Sequence, residues 1–247
     1  NEKEKDFFFM ERGDEQSIVS LISELATTRL SAYYDGIDPI KDIQVLTPVR
    51  KGTLGTASLN AQLQKMLNPP DALKTEKKLG DRLFREGDKV MQTRNNYRIG
   101  WKKRCDFSEG QGVFNGDIGY IHNIDNDAGQ MTVIFDEDRF VNYEFGQLDE
   151  VELAYAMTVH KSQGSEFPIV VMPVSWFPPM LATRNLLYTA VTRGKKVVIL
   201  CGMQRRMEAM VDNNRIKLRF SGLKHRLRAL IGRSIIGSNT EALGNEI

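Results

Sequence analysis

Three short stretches of this sequence combine residue types that suit a phosphate-bearing ligand. Arg50, Lys51 and Gly52 follow an apolar run. Thr158, His160, Gln163, Gly164 and Glu166 crowd into one polar turn just before another apolar run. Thr192 and Arg193 close a helical pattern. Guanidinium groups and glycine-exposed backbone N–H groups bind phosphate well, and a carboxylate such as Glu166 suits a ribose hydroxyl. Each residue also has a plain structural reading. Arg193 alone is a cation complementing a helix C-terminus, Gln163-Gly164 an ordinary turn, Arg50-Lys51 an exposed pair, and His160 a satisfied structural histidine. The functional reading rests on the combination. A fourth stretch, Arg94–Arg104 (RNNYRIGWKKR), holds five basic residues and no acid. Tyr97 and Trp101 interleave with Arg98, Lys102 and Lys103, a stack-and-clamp composition for single strands. Its structural alternative is a solvated hairpin tip with Trp101 packed inward.

The elements that must position these groups follow from periodicity. Asp6–Met10 and Ile43–Val49 read as buried strands, as do Ile169–Met172 and Lys196–Cys201. Glu15–Ala26 carries Ile18, Val19, Ile22 and Leu25 at helical spacing. A helix bearing Leu59, Leu63, Met66 and Leu67 is stopped by Asn68-Pro69-Pro70. Met180–Thr192 predicts a helix capped by Gly194. Gln204–Val211 and the basic Leu223–Leu230 predict two more, and Ser238–Ile247 has no pattern. Strand alternating with helix predicts an α/β fold with a parallel sheet, where ligands sit in crevices made by the loops. Lys74–Arg82 reads as a linker. From Phe84 to Tyr143 short alternating runs (Lys89–Gln92, Gly119–Ile124, Gln130–Phe135, Phe140–Tyr143) are separated by turn signals such as Asn115-Gly116-Asp117. They predict a small antiparallel barrel inserted into the α/β domain.

Composition narrows the classes. The 247 residues suffice for one large or two modest domains, and the profile of 41% hydrophobic and 27% charged residues is ordinary for a globular protein. No apolar run approaches the ~20 residues that span a bilayer. Two distant cysteines exclude a disulfide framework and fit a reducing, cytoplasmic setting. The three histidines and two cysteines have no metal-ligand spacing, so no metal site is expected. Net charge is only +2, but basic and acidic stretches are segregated, which allows polyanion binding. The phosphate-loop motif GxxxxGK[ST] occurs nowhere in the sequence, and no nuclease constellation is visible.

Three motifs, in order, carry a resemblance. TVHKSQGSEF at Thr158–Phe167 resembles motif V of superfamily 1 helicases, LLYTAVTRGKK at Leu186–Lys196 their motif VI, and LTPVRKGTLGTASLN at Leu46–Asn60 motif IV of the RecD/TraA branch. The resemblance covers nearly the whole chain. It implies the second RecA-like (P-loop NTPase-type) motor domain, residues 1–80 and 151–234, with an SH3-like barrel at 81–150 and a tail at 235–247. Arg193 would be the catalytic arginine finger, and Arg50 or Lys51 a second γ-phosphate contact. Gln163, Gly164 and Glu166 would face ATP; Thr158, His160 and Asn60 would touch single-stranded DNA. Polarity would be 5′ to 3′, and the role would lie in DNA recombination and repair. The magnesium ligands would belong to an N-terminal RecA-like domain, the expected intramolecular partner, so the chain alone should hydrolyse no ATP. Single-stranded DNA or a duplex junction is the implied track, with RecBC-type subunits as further partners and no membrane. The alternatives are a non-catalytic nucleic-acid-binding module and an interaction subunit of a recombination complex.

Overall fold

The computed structural model describes residues 5–136, 138–214, 222 and 226–228. The expected basic helix at Leu223–Leu230 and the tail from Ser238 lie largely or wholly outside the described residues. Five strands form one all-parallel sheet: β1 (Phe7–Glu11), β2 (Ile43–Thr47), β12 (Ala156–Thr158), β13 (Phe167–Val174) and β14 (Gly194–Gly202). Their order is β1-β14-β13-β2-β12.

The apolar runs are continuous because both faces are covered. One face packs Ile43, Val45, Ile169, Val171, Val197 and Ile199 against α1 (Glu15–Glu24) and α3 (Thr56–Leu67). The other packs Val170, Met172, Val198 and Leu200 against α4 (Arg184–Val191) and α5 (Gln204–Asp212). Helix α1 starts at Asp14, whose carboxylate accepts from Ser17 N at 2.9 Å. It runs through a π-helical turn at Leu25–Arg29 into α2 (Leu30–Tyr33), beyond the expected end at Ala26. Two expectations change. Strand β12 is additional. Gly194 does not cap α4 but begins β14, where a Cβ would collide with the Val198 side chain.

The inserted segment begins earlier than its hydrophobic pattern suggests. Glu76–Leu79 (β3) and Arg82–Arg85 (β4) form a hairpin where a linker was expected. Seven further strands make one antiparallel sheet: β5 (Lys89–Gln92), β6 (Asn96–Lys103), β7 (Glu109–Val113), β8 (Ile118–Asp125), β9 (Gln130–Phe135), β10 (Arg139–Glu144) and β11 (Val151–Leu153). Their order is β11-β5-β8-β9-β10-β6-β7, and among the described residues no ladder joins the two edges. Phe84, Val90, Ile121, Val133, Phe135, Val141 and Tyr143 fill this sheet's own core. No helix among the described residues is long and apolar enough to cross a membrane.

Where the two sheets meet, Lys89 is buried, its Nζ 3.4 Å from the carbonyl oxygens of Lys41 and Ile43. Burial lowers its pKa to about 7, against the opposing pull of Asp38 and Asp42. Between that value and the ordinary lysine value the unfolded chain binds the extra proton. Stability should therefore rise with pH across this window, by about 2 kcal/mol between about pH 7.5 and pH 9. Lys89→Met should remove that slope and stabilise the neutral-pH fold. Thermal melts of both proteins across the range test this; parallel curves would refute it.

Candidate functional site

The parallel sheet presents two edges. At its carboxyl edge, β2 and β12 end side by side, with Thr47 paired to Thr158. The chain leaves β2 through a tight loop in which Thr47 Oγ1 donates to Leu54 O at 2.6 Å. The first amides of α3 are spent on this loop, Thr56 N on Val49 O and Ala57 N on Arg50 O. The groups left to meet an anion here are the side chains of Arg50 and Lys51, both exposed and without an ion-pair partner among the described residues. They line an open groove of about 720 Å³ with Thr158, His160 and Trp176. Glu15 is its acidic member, and the Lys161 ammonium at its wall pairs with Glu152 at 3.1 Å.

At the amino edge lie the starts of β13 and β14, Phe167 and Gly194. Arg193, just before β14, is fixed by three hydrogen bonds. Its Nε donates to Thr189 O at 3.3 Å, Nη1 to Ser165 O at 3.1 Å, and Nη2 to Thr192 Oγ1 at 3.3 Å. The backbone closes the same corner, Phe167 N donating to Arg193 O at 2.8 Å. A guanidinium has five N–H groups, so two remain for a ligand. Gly164 adopts φ +92 with open space where a side chain would stand, a conformation that favours glycine. Glu166 pairs with Lys195 at 3.2 Å.

One turn joins the two edges. It leaves β12 at Thr158, is pinned by the buried Ser162, whose Oγ donates to Val159 O at 2.8 Å, and reaches β13 at Phe167. Gln163 stands exposed midway. The eight residues of β13 separate the edges by roughly 25 Å. Arg50 and Lys51, expected beside Arg193 on one phosphate, are instead grouped with Thr158 and His160.

Two further expectations are corrected. Asn60 is not presented to a ligand. It is 7% exposed, its Nδ2 donates to Leu153 O at 3.0 Å and Ala156 O at 2.8 Å, and its Oδ1 accepts from Ala156 N at 2.7 Å. It is a buried clamp on the short joint between β11 and β12. The Arg94–Arg104 cluster is split. Trp101 pairs with Val141 and lies against Gly110 on the core side of the sheet. Lys102 alternates to the other face, where it pairs with Glu109 at 2.6 Å. Tyr97 is exposed and meets Phe114 edge-on, Arg98 is exposed, and Lys103 ends β6 half-buried. These residues do not converge on one stacking surface.

The sequence reading missed two groups of residues. Ser162, Ser165 and Lys195 shape the turn and its corner. Trp176 stands exposed in the groove, and its signal was an aromatic placed two residues past the end of an apolar strand. Among the described residues no three His, Cys, Asp or Glu side chains converge to hold a metal.

Two family profiles match the chain. One, described as the ATP-dependent RecD-like DNA helicase SH3 domain, matches residues 59–135. The other, described as the UvrD-like helicase C-terminal domain, matches residues 153–201. The chain is 32% identical over 187 residues to an ATP-dependent RecD2 DNA helicase of Deinococcus radiodurans, covering 76% of this chain and 24% of that protein. It is 29% identical over 197 residues to the RecBCD enzyme subunit RecD of Mycolicibacterium smegmatis, covering 78% of this chain and 31% of that protein. A Pif1 helicase from Bacteroides, solved with ADP-AlF3 and ssDNA, is similar at 19% identity and a TM-score of 0.46, covering 87% of this chain and 50% of that one. The chain thus spans a third or less of the length of the two sequence relatives.

Proposed function

Since the chain belongs to the RecD-like superfamily 1 helicases and corresponds to their C-terminal part, we propose that it is the second motor domain of an ATP-dependent DNA helicase. In this proposal the helicase moves 5′ to 3′ on single-stranded DNA from a duplex junction and serves recombination and repair in the cytoplasm. One observation supports the reading furthest. A single turn starts in a cationic groove and ends hydrogen-bonded to an arginine at the opposite edge of the sheet.

The proposed roles follow the two edges. Arg50, Lys51, Thr158 and His160 hold the phosphates of the DNA strand. Gly164 and Glu166 face the nucleotide, with Gln163 between the two sites. Arg193 is held in place before the reaction, with its free N–H groups aimed at charge developing on the γ-phosphoryl group. ATP supplies the transferable phosphoryl group. The phosphate-binding lysine, the magnesium ligands and the general base would come from an N-terminal RecA-like domain across the nucleotide. RecBC-type subunits are further proposed partners.

Two experiments test this. The chain alone, given ATP and single-stranded DNA, should show no turnover above background, and joining it to the N-terminal motor domain should create DNA-stimulated hydrolysis. Robust turnover by the chain alone would overturn the assignment. Replacing Arg50 and Lys51 together by Ala should weaken oligothymidylate binding and flatten its log–log salt dependence by roughly 1–2. An unchanged slope would remove both from the strand's path.

A further inference from the structure

Trp176 follows β13 at the carboxyl edge and is 68% exposed, an unusual place for so large an apolar surface. Its position is built. The next residue, Phe177, is buried in the core beside α1. The Pro178-Pro179 turn beyond is closed by hydrogen bonds from Leu181 N at 2.8 Å and Ala182 N at 3.0 Å to Pro178 O. Helix α5 lays the Arg206 guanidinium over the indole, a contact that orients the ring while it stays 68% exposed. Trp176 lines the groove that holds Arg50, Lys51 and His160. An exposed aromatic ring beside cations that have no ion-pair partner among the described residues suits a chain of alternating phosphates and planar bases, because every base has a π-face.

We propose that Trp176, backed by Arg206, is a stacking platform for one unpaired base of a single-stranded nucleic acid whose phosphates lie on Arg50 and Lys51. The proposal rests on reading the groove as a strand-binding surface. It adds that the groove distinguishes a strand with bases from a bare phosphate backbone.

The test compares a short oligothymidylate with an abasic oligomer of the same length, using the 247-residue chain and its Trp176→Leu and Trp176→Phe variants. The native chain should bind the thymidylate roughly tenfold more tightly than the abasic strand, with saturable quenching of tryptophan emission. Trp176→Leu should lose both the quenching and the preference while keeping its affinity for the abasic strand; Trp176→Phe should keep most of the preference. Equal affinity for both oligomers in the native chain would overturn stacking and leave the phosphate groove standing. Binding of neither would remove the groove reading and the platform with it. If the Trp176 emission, taken as native minus Trp176→Phe, is already shielded from acrylamide without nucleic acid, another segment covers the ring and the proposal fails.

Discussion

Arg193→Ala in the full-length helicase is expected to lower DNA-stimulated ATP turnover by roughly a thousandfold or more, the usual scale for an arginine finger. The expectation rests on geometry. Three hydrogen bonds, to Thr189 O, Ser165 O and Thr192 Oγ1, fix the guanidinium before nucleotide arrives, so little reorganisation remains for the transition state. Arg193→Lys should rescue little, because an ammonium cannot hold the Ser165 carbonyl and reach a phosphate with the same planar fork. The loss should fall on kcat with KM for ATP changing far less. Steady-state turnover at saturating single-stranded DNA measures it, with thermal melts controlling for the lost tether to the turn. Turnover within about tenfold of the native enzyme would refute the role.

The second large effect concerns the joint between the inserted antiparallel sheet and the parallel sheet. Only Ala154 and Tyr155 separate β11 from β12, so the insert feeds directly into the strand that ends at Thr158. Side chains from three places fix this joint. Asn60 clamps it from α3, Gln44 Nε2 donates to Ala154 O at 3.0 Å and Tyr155 O at 3.1 Å, and Tyr155 Oη donates to Asp88 at 2.9 Å. Asp88 is fully buried and also accepts from Gln64 Nε2 at 2.6 Å, Asn68 Nδ2 at 2.7 Å and Arg85 N at 2.7 Å. Burial pushes its carboxyl pKa up while these hydrogen bonds pull it down. Asp88→Ala would take a partner from four buried donors at once, of which Gln64 Nε2 and Asn68 Nδ2 keep the carbonyls of Leu83 and Glu86, and unsatisfied groups cost about 1–3 kcal/mol each before relaxation. A stability loss of about 3–5 kcal/mol is expected, close to the upper end for single substitutions. Tyr155→Phe, which removes one donor and strands none, should cost about 1 kcal/mol. Denaturant melts of both variants decide; an Asp88→Ala loss no larger than that of Tyr155→Phe would mean that the network does not hold the joint.

The parallel sheet's strands were legible because a sheet covered on both faces writes itself as unbroken apolar runs, as in Ile169–Met172 and Lys196–Cys201. Strand β12 was not, since its three residues sit inside a longer apolar run. Strands β6 and β7 carry glycines and charges, and in β6 only Ile99 is buried. The polar β3–β4 hairpin has a similarly weak pattern. The site residues were legible as types, phosphate-suited cations and glycines near strand ends. Their grouping was not, because which edge a loop occupies depends on strand direction and sheet order. Arg50 and Arg193 therefore looked like partners and lie at opposite edges. The resemblance gave Asn60 a ligand-facing role, and its burial was not legible because the bonds that hold it reach residues more than ninety positions away.

Two separate edges joined by one turn make a separable prediction about binding. Single-stranded DNA affinity of the chain, read by anisotropy of a labelled oligothymidylate, should be compared in Arg50→Ala/Lys51→Ala and in Arg193→Ala. The groove pair is expected to weaken binding roughly tenfold or more, and Arg193→Ala to leave it within about twofold. Equal losses in both variants, or no loss from the groove pair, would contradict the assignment of DNA to the carboxyl edge and nucleotide to the amino edge.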